Sequence, residues 1–185
     1  IIFIVGLLDD IYELNPLQIG IGQIFAAGAA IMFHIFIETV NNPFSGQQVD
    51  PFPRLVTITL TMFWLGVMMN TVNFLDGVDG LAAGVAAVTG VILFVHSAFV
   101  LQPAQTSVSL LPLAMTGAAL GFLIFNFHPA KIFMGGGALF LGYLVGTLSI
   151  IGGAKMATVL LVMGLPLMDF AWQVINRARK GRNPM

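Results

Sequence analysis

The sequence contains no cysteine and few charged residues. Only 8% of its 185 residues are charged, 58% have apolar side chains, and the mean hydropathy is +0.97. A soluble domain carries about 25% charged residues, so this chain cannot cover a water-facing surface, and we expect an integral membrane protein. Without cysteine, disulfide and thiol chemistry are excluded. Without a dense basic patch, nucleic-acid binding is excluded as well.

The chain also lacks an initial Met and a charged segment before its first apolar run. That run covers residues 1–8 and is followed by Asp9 and Asp10, whereas a spanning helix needs about 20 residues. We therefore expect the second half of a helix, no signal peptide, and a chain that is a fragment of a longer protein.

Apolar runs predict an all-α, polytopic transmembrane bundle that forms a single domain over residues 1–185. About six complete spans and an N-terminal half span are expected, with the complete spans at residues 19–40, 55–74, 81–101, 110–127, 138–151 and 156–174. Basic residues favour the cytoplasmic side of a membrane. The alternation of spans places five of them on one side, which we expect to be cytoplasmic, and only Arg54 and Lys155 on the other. The five are Lys131, Arg177, Arg179, Lys180 and Arg182.

One polar motif interrupts the end of the second complete span. Its residues recur at every third position, as Asn70, Asn73, Asp76 and Asp79. This spacing places each on the helical turn next to the last, and Gly77 and Gly80 give the backbone freedom to break there. An ordinary Asp-Gly turn between two helices is the alternative. The repeated Asp-Gly pair favours the interpretation that two carboxylates are delivered to a membrane surface.

Further titratable groups gather on the same predicted face, namely Asp9, Asp10, His128 and Lys131. This set suits a reaction between a water-soluble nucleotide and a lipid phosphate, since phosphoryl transfer needs mainly positioning and charge neutralisation. Magnesium uses one or two carboxylates with substrate phosphates, and Asp76 and Asp79 are the candidates. Asp9 and Asp10 are about 100° apart on a helix, so only one is expected to face the site.

A glycine turn follows the predicted helix that ends at Asn126. Residues 135–137 are all glycine, and their backbone N–H groups could line a phosphate at the start of the next helix. The alternative is a flexible hinge, with Lys131 as a charge that only sets topology.

Two further polar positions have structural alternatives. Asp169 in the last span either belongs to the site or pairs with Asn176 or Arg177. His34 and Glu38, four residues apart near the end of the first complete span, are interpreted as an interfacial pair on the opposite surface.

Four motifs, in the same order, resemble those of the polyprenyl-phosphate N-acetylhexosamine-1-phosphate transferases, glycosyltransferase family 4. They lie at residues 6–10, 70–81, 126–142, and 164–169 with 177–184. The resemblance is closest to the undecaprenyl-phosphate N-acetylglucosamine-1-phosphate transferases that start teichoic acid, O-antigen and related polymers. The phospho-N-acetylmuramoyl-pentapeptide transferases are a sister branch.

The resemblance implies a UDP-sugar donor, a polyprenyl-phosphate acceptor, release of UMP, and Mg²⁺ with Mn²⁺ as an alternative. It further implies a multi-pass protein of a prokaryotic plasma membrane with a cytoplasmic active site. The oligomeric state does not follow from the sequence, and a homodimer is one assembly left open. The implied catalytic residues are Asp9, Asp10, Asp76 and Asp79. The implied substrate-binding residues are Asn70, Asn73, Asn126, His128, Lys131, Gly135, Gly136 and Arg177.

One departure from the family pattern leaves other functions open. The family's loop reads Gly-Asp-x-Gly, and its Asp is the main Mg²⁺ ligand, whereas residues 135–138 read Gly-Gly-Gly-Ala, one residue shorter. Asp76 or Asp79 would have to compensate. A non-catalytic relative that binds lipid phosphate or UDP-sugar is therefore the first alternative. A transporter or channel is the second, although it would spread carboxylates through the bilayer, and here they fall at the ends of spans.

Overall fold

The computed structural model describes residues 1–39, 51–101, 106–152 and 156–179. These residues form seven α-helices and no strand, so the all-α prediction is confirmed. The helices are α1 (Ile2–Tyr12), α2 (Pro16–Met32), α3 (Arg54–Leu75), α4 (Leu81–Val95), α5 (Thr106–Asn126), α6 (Gly137–Ile151) and α7 (Met156–Arg179). A π-helical segment, His96–Val100, continues α4. Expectations for Lys155, Lys180 and Arg182 lie outside the described residues.

Three of the described helices are long and apolar enough to cross a membrane: Arg54–Leu75, Leu81–Val100 and Thr106–Asn126. Pro16–Met32 and Gly137–Ile151 are apolar but shorter. A membrane-embedded helical protein is therefore supported, while the count of about six complete spans remains a prediction.

Small residues let the central helices approach closely. A Cβ atom added to Gly142 on α6 would lie 2.6 Å from the Met68 carbonyl oxygen on α3, so only glycine fits there. On the same pair of helices, the Trp64 indole Nε1 donates a hydrogen bond to Ser149 Oγ over 3.1 Å. Since lipid removes the hydrophobic drive between membrane helices, close packing and polar contacts of this kind hold such a bundle together.

Helix α2 begins at a capping box and ends earlier than the sequence predicts. Asn15 Oδ1 accepts a hydrogen bond from the Gln18 backbone N–H, and Gln18 Oε1 accepts one from the Asn15 N–H, each over 3.0 Å. The helix stops at Met32, and His34 adopts a left-handed conformation with φ of 61°. The prediction of a span to residue 40 is therefore wrong. His34 and Glu38 lie beyond the helix, and the expected pair between them is not formed.

The two ends of α3 define two faces of the molecule. We call the end that carries Asp10, Asp76, Asp79, Asn126 and Gly135 the aspartate face. The opposite end, where α2 finishes and α3 begins at Arg54, is the far face. A helix of 22 residues is about 33 Å long, so the two faces are separated by the thickness of a hydrocarbon core.

Candidate active site at the aspartate face

The Asp-Gly motif forms the turn between α3 and α4. Helix α3 ends at Leu75, Asp76 is its C-cap residue, and α4 starts at Leu81. Gly80 has φ of 75°, a conformation that favours glycine. Asn70 and Asn73 lie on α3 as predicted, but Asp79 does not continue the helical series, because the helix stops before it.

Asp10 and Asp76 hold the glycine loop between them. Gly136 N–H donates to Asp10 Oδ1 over 2.8 Å, and Gly135 N–H donates to Asp76 Oδ2 over 3.0 Å. Two carboxylates from the ends of different helices therefore converge on consecutive backbone amides. The sequence predicts that these amides line a phosphate. In this conformation their N–H groups donate hydrogen bonds to the protein's own carboxylates instead.

The loop fits between the two aspartates because it consists of glycine. Gly135 has φ of 54°, and a Cβ atom there would lie 2.6 Å from Asp10 Oδ1. Gly136 contacts Gly6 of α1 backbone to backbone, so closely that a Cβ on either would collide with the main chain of the other. The run of glycines is therefore a packed contact with α1, and the hinge interpretation does not describe this conformation.

The Asp76 carboxylate is partly buried, and only one of its two oxygens has a hydrogen-bond partner. Its Oδ1 atom is buried and has no hydrogen-bond partner. Burial raises the pKa of the Asp76 carboxyl above its ordinary value; the Gly135 N–H opposes this, and the charge of Asp10 adds to it. A carboxylate held in this way favours a proton or a cation beside it.

Asp79 belongs to a second group of contacts. Its Oδ2 atom lies 2.9 Å from His128 Nδ1 and accepts a hydrogen bond from the Ala130 N–H over 3.1 Å. The Ala130 N–H, and after it the His128 side chain, lower the pKa of Asp79 below its ordinary value. The His128 side chain remains 81% exposed. Asp79 therefore orients an imidazole that is open to solvent.

Asn126 joins the two loops that carry these groups. Its side chain is 2% exposed. Oδ1 accepts a hydrogen bond from the Gly80 N–H over 3.0 Å, and Nδ2 donates to the Ile132 carbonyl oxygen over 2.9 Å. Both ends of the amide are used, so Asn126 fixes the loops and offers no free group to a substrate in this conformation.

Two predicted site residues make contacts elsewhere. Asp9 Oδ1 accepts a hydrogen bond from the Leu14 N–H over 2.9 Å, which leaves Asp10 as the member of the pair at the glycine loop. Asn70 exchanges two amide hydrogen bonds with Gln23 of α2, over 3.0 and 3.1 Å. The sequence signal for this partner is Gln23, a polar residue in the interior of an otherwise apolar helix.

The remaining predicted residues are open to solvent. Asn73 and Lys131 are exposed near the aspartate cluster, and Asp169 and Arg177 are exposed on α7. No hydrogen bond or ion pair joins Asp169 to Arg177 within the described residues. Substrate contacts by these side chains remain predictions.

A magnesium site would have to be built from few protein ligands. Among the described residues no group of three or more His, Asp or Glu lies close enough to hold a metal. Mg²⁺ needs only one or two carboxylates when substrate phosphates and water complete its shell. Asp10 and Asp76 flank the same loop, and Asp76 has an unpartnered oxygen. These two residues fit such a site, whereas Asp79 is engaged with His128 and Ala130.

Comparison with known proteins identifies the family. A family model described as glycosyl transferase family 4 matches residues 1–153. The chain belongs to this family.

Individual relatives carry more specific names. The chain is 32% identical over 184 residues to a Bacillus subtilis protein named "Probable undecaprenyl-phosphate N-acetylglucosaminyl 1-phosphate transferase", covering 96% of the chain and 50% of the relative. It is 32% identical to decaprenyl-phosphate N-acetylglucosaminephosphotransferase of Mycolicibacterium smegmatis, covering 100% of the chain and 51% of the relative. It is 35% identical to phospho-N-acetylmuramoyl-pentapeptide-transferase of Listeria monocytogenes, covering 79% of the chain and 47% of the relative. The chain spans about half the length of the curated relatives it matches.

Proposed function

We propose that this chain is part of an enzyme that transfers N-acetylglucosamine 1-phosphate from a UDP-sugar to polyprenyl phosphate and releases UMP. The observation that carries the proposal is the convergence of Asp10 and Asp76 on the loop of Gly135 and Gly136. Family membership and the names of the Bacillus and Mycolicibacterium relatives support the substrates. Apolar helices on both sides of the motif support a membrane-bound acceptor.

The reaction exchanges one phosphorus–oxygen bond for another. An oxygen of the lipid phosphate forms a bond to the phosphorus that carries the sugar, and the bond from that phosphorus to the UMP oxygen breaks. Asp10 is exposed, and the Gly136 N–H fixes only one of its oxygens. The other oxygen can accept the lipid phosphate's proton and leave that phosphate a better nucleophile.

Residues on the other side of the cluster would hold the donor. Lys131 is exposed and cationic, and His128 is oriented by Asp79. Both can face the diphosphate, whose charge must be balanced during transfer. Asn126 keeps the two supporting loops in register through Gly80 and Ile132.

Asp10 and Asp76 would hold Mg²⁺, which when bound supplies neutralisation of the diphosphate charge. The buried oxygen of Asp76 must become accessible for this. The Gly135 N–H contacts the neighbouring oxygen, so the 135–137 loop would have to shift.

A non-catalytic relative is the second candidate, and one observation favours it. The loop has no carboxylate of its own, and its amides already occupy Asp10 and Asp76. Such a protein would bind a UDP-sugar or lipid phosphate without turnover. The phospho-N-acetylmuramoyl-pentapeptide branch is a further alternative for the donor, although the Listeria relative covers less of the chain.

The test is exchange of radiolabelled UMP into UDP-N-acetylglucosamine by the full-length protein, with Mg²⁺ and undecaprenyl phosphate. We expect exchange above a control without lipid, and none with UDP-N-acetylmuramoyl-pentapeptide. Exchange with the pentapeptide donor alone would assign the protein to the sister branch. No exchange with either donor, but exchange after insertion of Asp following Gly135, would establish the non-catalytic alternative.

A further inference from the structure

A cavity of about 680 Å³ opens at the far face, remote from the aspartate cluster. It lies between the end of α2 and the first turns of α3, and its volume is typical of a small-molecule site, about 300–1,000 Å³. Five apolar side chains line its body, namely Ile31, Met32, Phe36, Phe52 and Ile58. Since α3 begins at Arg54 and is long and apolar enough to cross a membrane, the cavity lies where that helix would leave the bilayer.

The walls of the cavity are fixed by hydrogen bonds. The Ile37 N–H donates to Thr61 Oγ1 of α3 over 3.0 Å, and the Phe52 N–H donates to the Glu38 carbonyl oxygen over 2.9 Å. The chain after α2 is thus attached to α3 at Thr61 and to the segment just before α3 at Phe52. The cavity is therefore part of the folded protein, and the left-handed turn at His34 shapes its edge.

Two opposite charges face this cavity without partners in the described part of the chain. Glu38 and Arg54 are both exposed and both line it, and neither forms an ion pair with another described residue. At a membrane boundary, a ligand group of opposite charge is attracted to such a side chain more strongly than in bulk water.

The positive side of the cavity is strengthened by the helix itself. Arg54 is the first residue of α3, and the N-cap residue Pro53 provides no side-chain hydrogen bond. The first N–H groups of α3 therefore lack partners within the helix and add partial positive charge beside the guanidinium. The guanidinium and the N–H groups of the first helical turn together favour a phosphate, while Glu38 favours a cation.

We propose that this far-face cavity binds a phospholipid with a phosphoethanolamine headgroup. Arg54 and the start of α3 hold the phosphate, Glu38 holds the ammonium group, and Met32, Phe36 and Phe52 contact the acyl chains. The occupant needs both charges and an apolar tail, because the cavity presents an acid, a base and an apolar body. The site is separate from the transferase site and does not depend on the proposed reaction.

The experiment is native mass spectrometry of the full-length protein in micelles that contain dioleoylphosphatidylethanolamine or dioleoylphosphatidylglycerol. We expect the ethanolamine lipid to be retained at several-fold higher occupancy. Glu38→Gln should reduce its occupancy to that of the glycerol lipid, because only the ammonium group is affected. Arg54→Gln should lower both occupancies, because both lipids carry the phosphate. Soluble phosphoethanolamine, which has no acyl chains, should give no adduct.

Glu13→Gln and Arg179→Gln are the matched controls, since both residues are exposed and away from the cavity. They should leave the occupancies unchanged. Equal retention of the two lipids by the unmodified protein, or unchanged retention in both cavity variants, would overturn the proposal. The proposal would also be overturned if both cavity variants lowered the unfolding temperature equally with and without lipid. The two charges would then stabilise the folded protein and not the bound lipid.

Discussion

Asp10 and Asp76 accept hydrogen bonds from two consecutive backbone amides of one loop, although they lie at the ends of two different helices. Each carboxylate keeps a second oxygen that this loop does not use. The loop therefore sets the separation of the two acids.

Asp76→Asn should separate activity from stability. The carboxamide oxygen can still accept the hydrogen bond from the Gly135 N–H, but it carries no charge to desolvate. We expect UMP exchange to fall about 10²-fold, the size of a lost electrostatic contact in catalysis. The unfolding temperature at pH 7 should be equal to or above that of the unmodified protein. A clear drop in unfolding temperature would show that the charged form is stabilising.

Asp9 and Asp10 should differ although they are neighbours. Asp10→Asn removes the acid at the glycine loop and should lower exchange about 10²-fold. Asp9→Asn changes only a contact with the Leu14 N–H and should leave exchange within a few-fold. Both variants can be assayed side by side. A larger loss for Asp9→Asn would mean that the active conformation turns the other carboxylate inward.

Asn126→Ala should destabilise the folded protein. It removes the partner of the Gly80 N–H and of the Ile132 carbonyl, two part-buried hydrogen bonds that contribute about 0.5–1.5 kcal/mol each. Denaturant unfolding in micelles measures this difference. Asn73→Ala is the control, because Asn73 is exposed and its removal should change stability by no more than about 0.5 kcal/mol. Equal effects in both variants would contradict the assigned role of Asn126.

Gly6→Ala and Gly28→Ala form a matched pair of glycine substitutions in helices. A Cβ on Gly6 collides with the Gly136 backbone, whereas one on Gly28 meets nothing within 4 Å. Overpacking costs about 1–3 kcal/mol, while a helical Gly→Ala change without a clash gains about 0.5–1 kcal/mol. Unfolding temperatures should therefore move in opposite directions. A shift in the same direction would show that α1 can move off the loop freely.

Asp79 should make the protein sensitive to acid. Its pKa is lowered in the folded state, so the stabilisation that it provides is complete above its ordinary value of 3.8. It is lost as the pH falls through the lower folded value. Stability measured from pH 6 downward should therefore decline more steeply for the unmodified protein than for Asp79→Asn. Parallel curves of stability against pH for the two proteins would show that protonation of Asp79 is not coupled to unfolding.

The fold class and most helix positions could be predicted from the sequence because apolar runs dominate it. The start of α3, the break after Leu75 and the start of α4 agree with those runs to within a residue or two. The end of α2 could not be predicted, because residues 33–37 are apolar enough to continue a span. The chain turns there through a left-handed histidine, which hydropathy does not signal.

At the site, the sequence indicated which residues gather but not how they pair. Residue spacing placed Asp10, Asp76 and the glycines on one face, and the structure brings them together. Spacing could not show that Asn70 forms hydrogen bonds with Gln23, or that Asn126 forms hydrogen bonds with the backbone of two loops. Those choices depend on the helices and loops that surround each amide, and neighbouring helices lie far away in the sequence.

The backbone contact between Gly6 and Gly136 has a consequence for how this family can vary. A side chain at either position needs room that only a displacement of α1 or of the loop could provide. A displacement of α1 would move Asp10, and a displacement of the loop would break its hydrogen bonds to Asp10 and Asp76. Each of the two positions therefore requires glycine because of the main chain of the other, whether or not either takes part in the reaction. A loop of different length can be accommodated only if the added residue bulges away from α1.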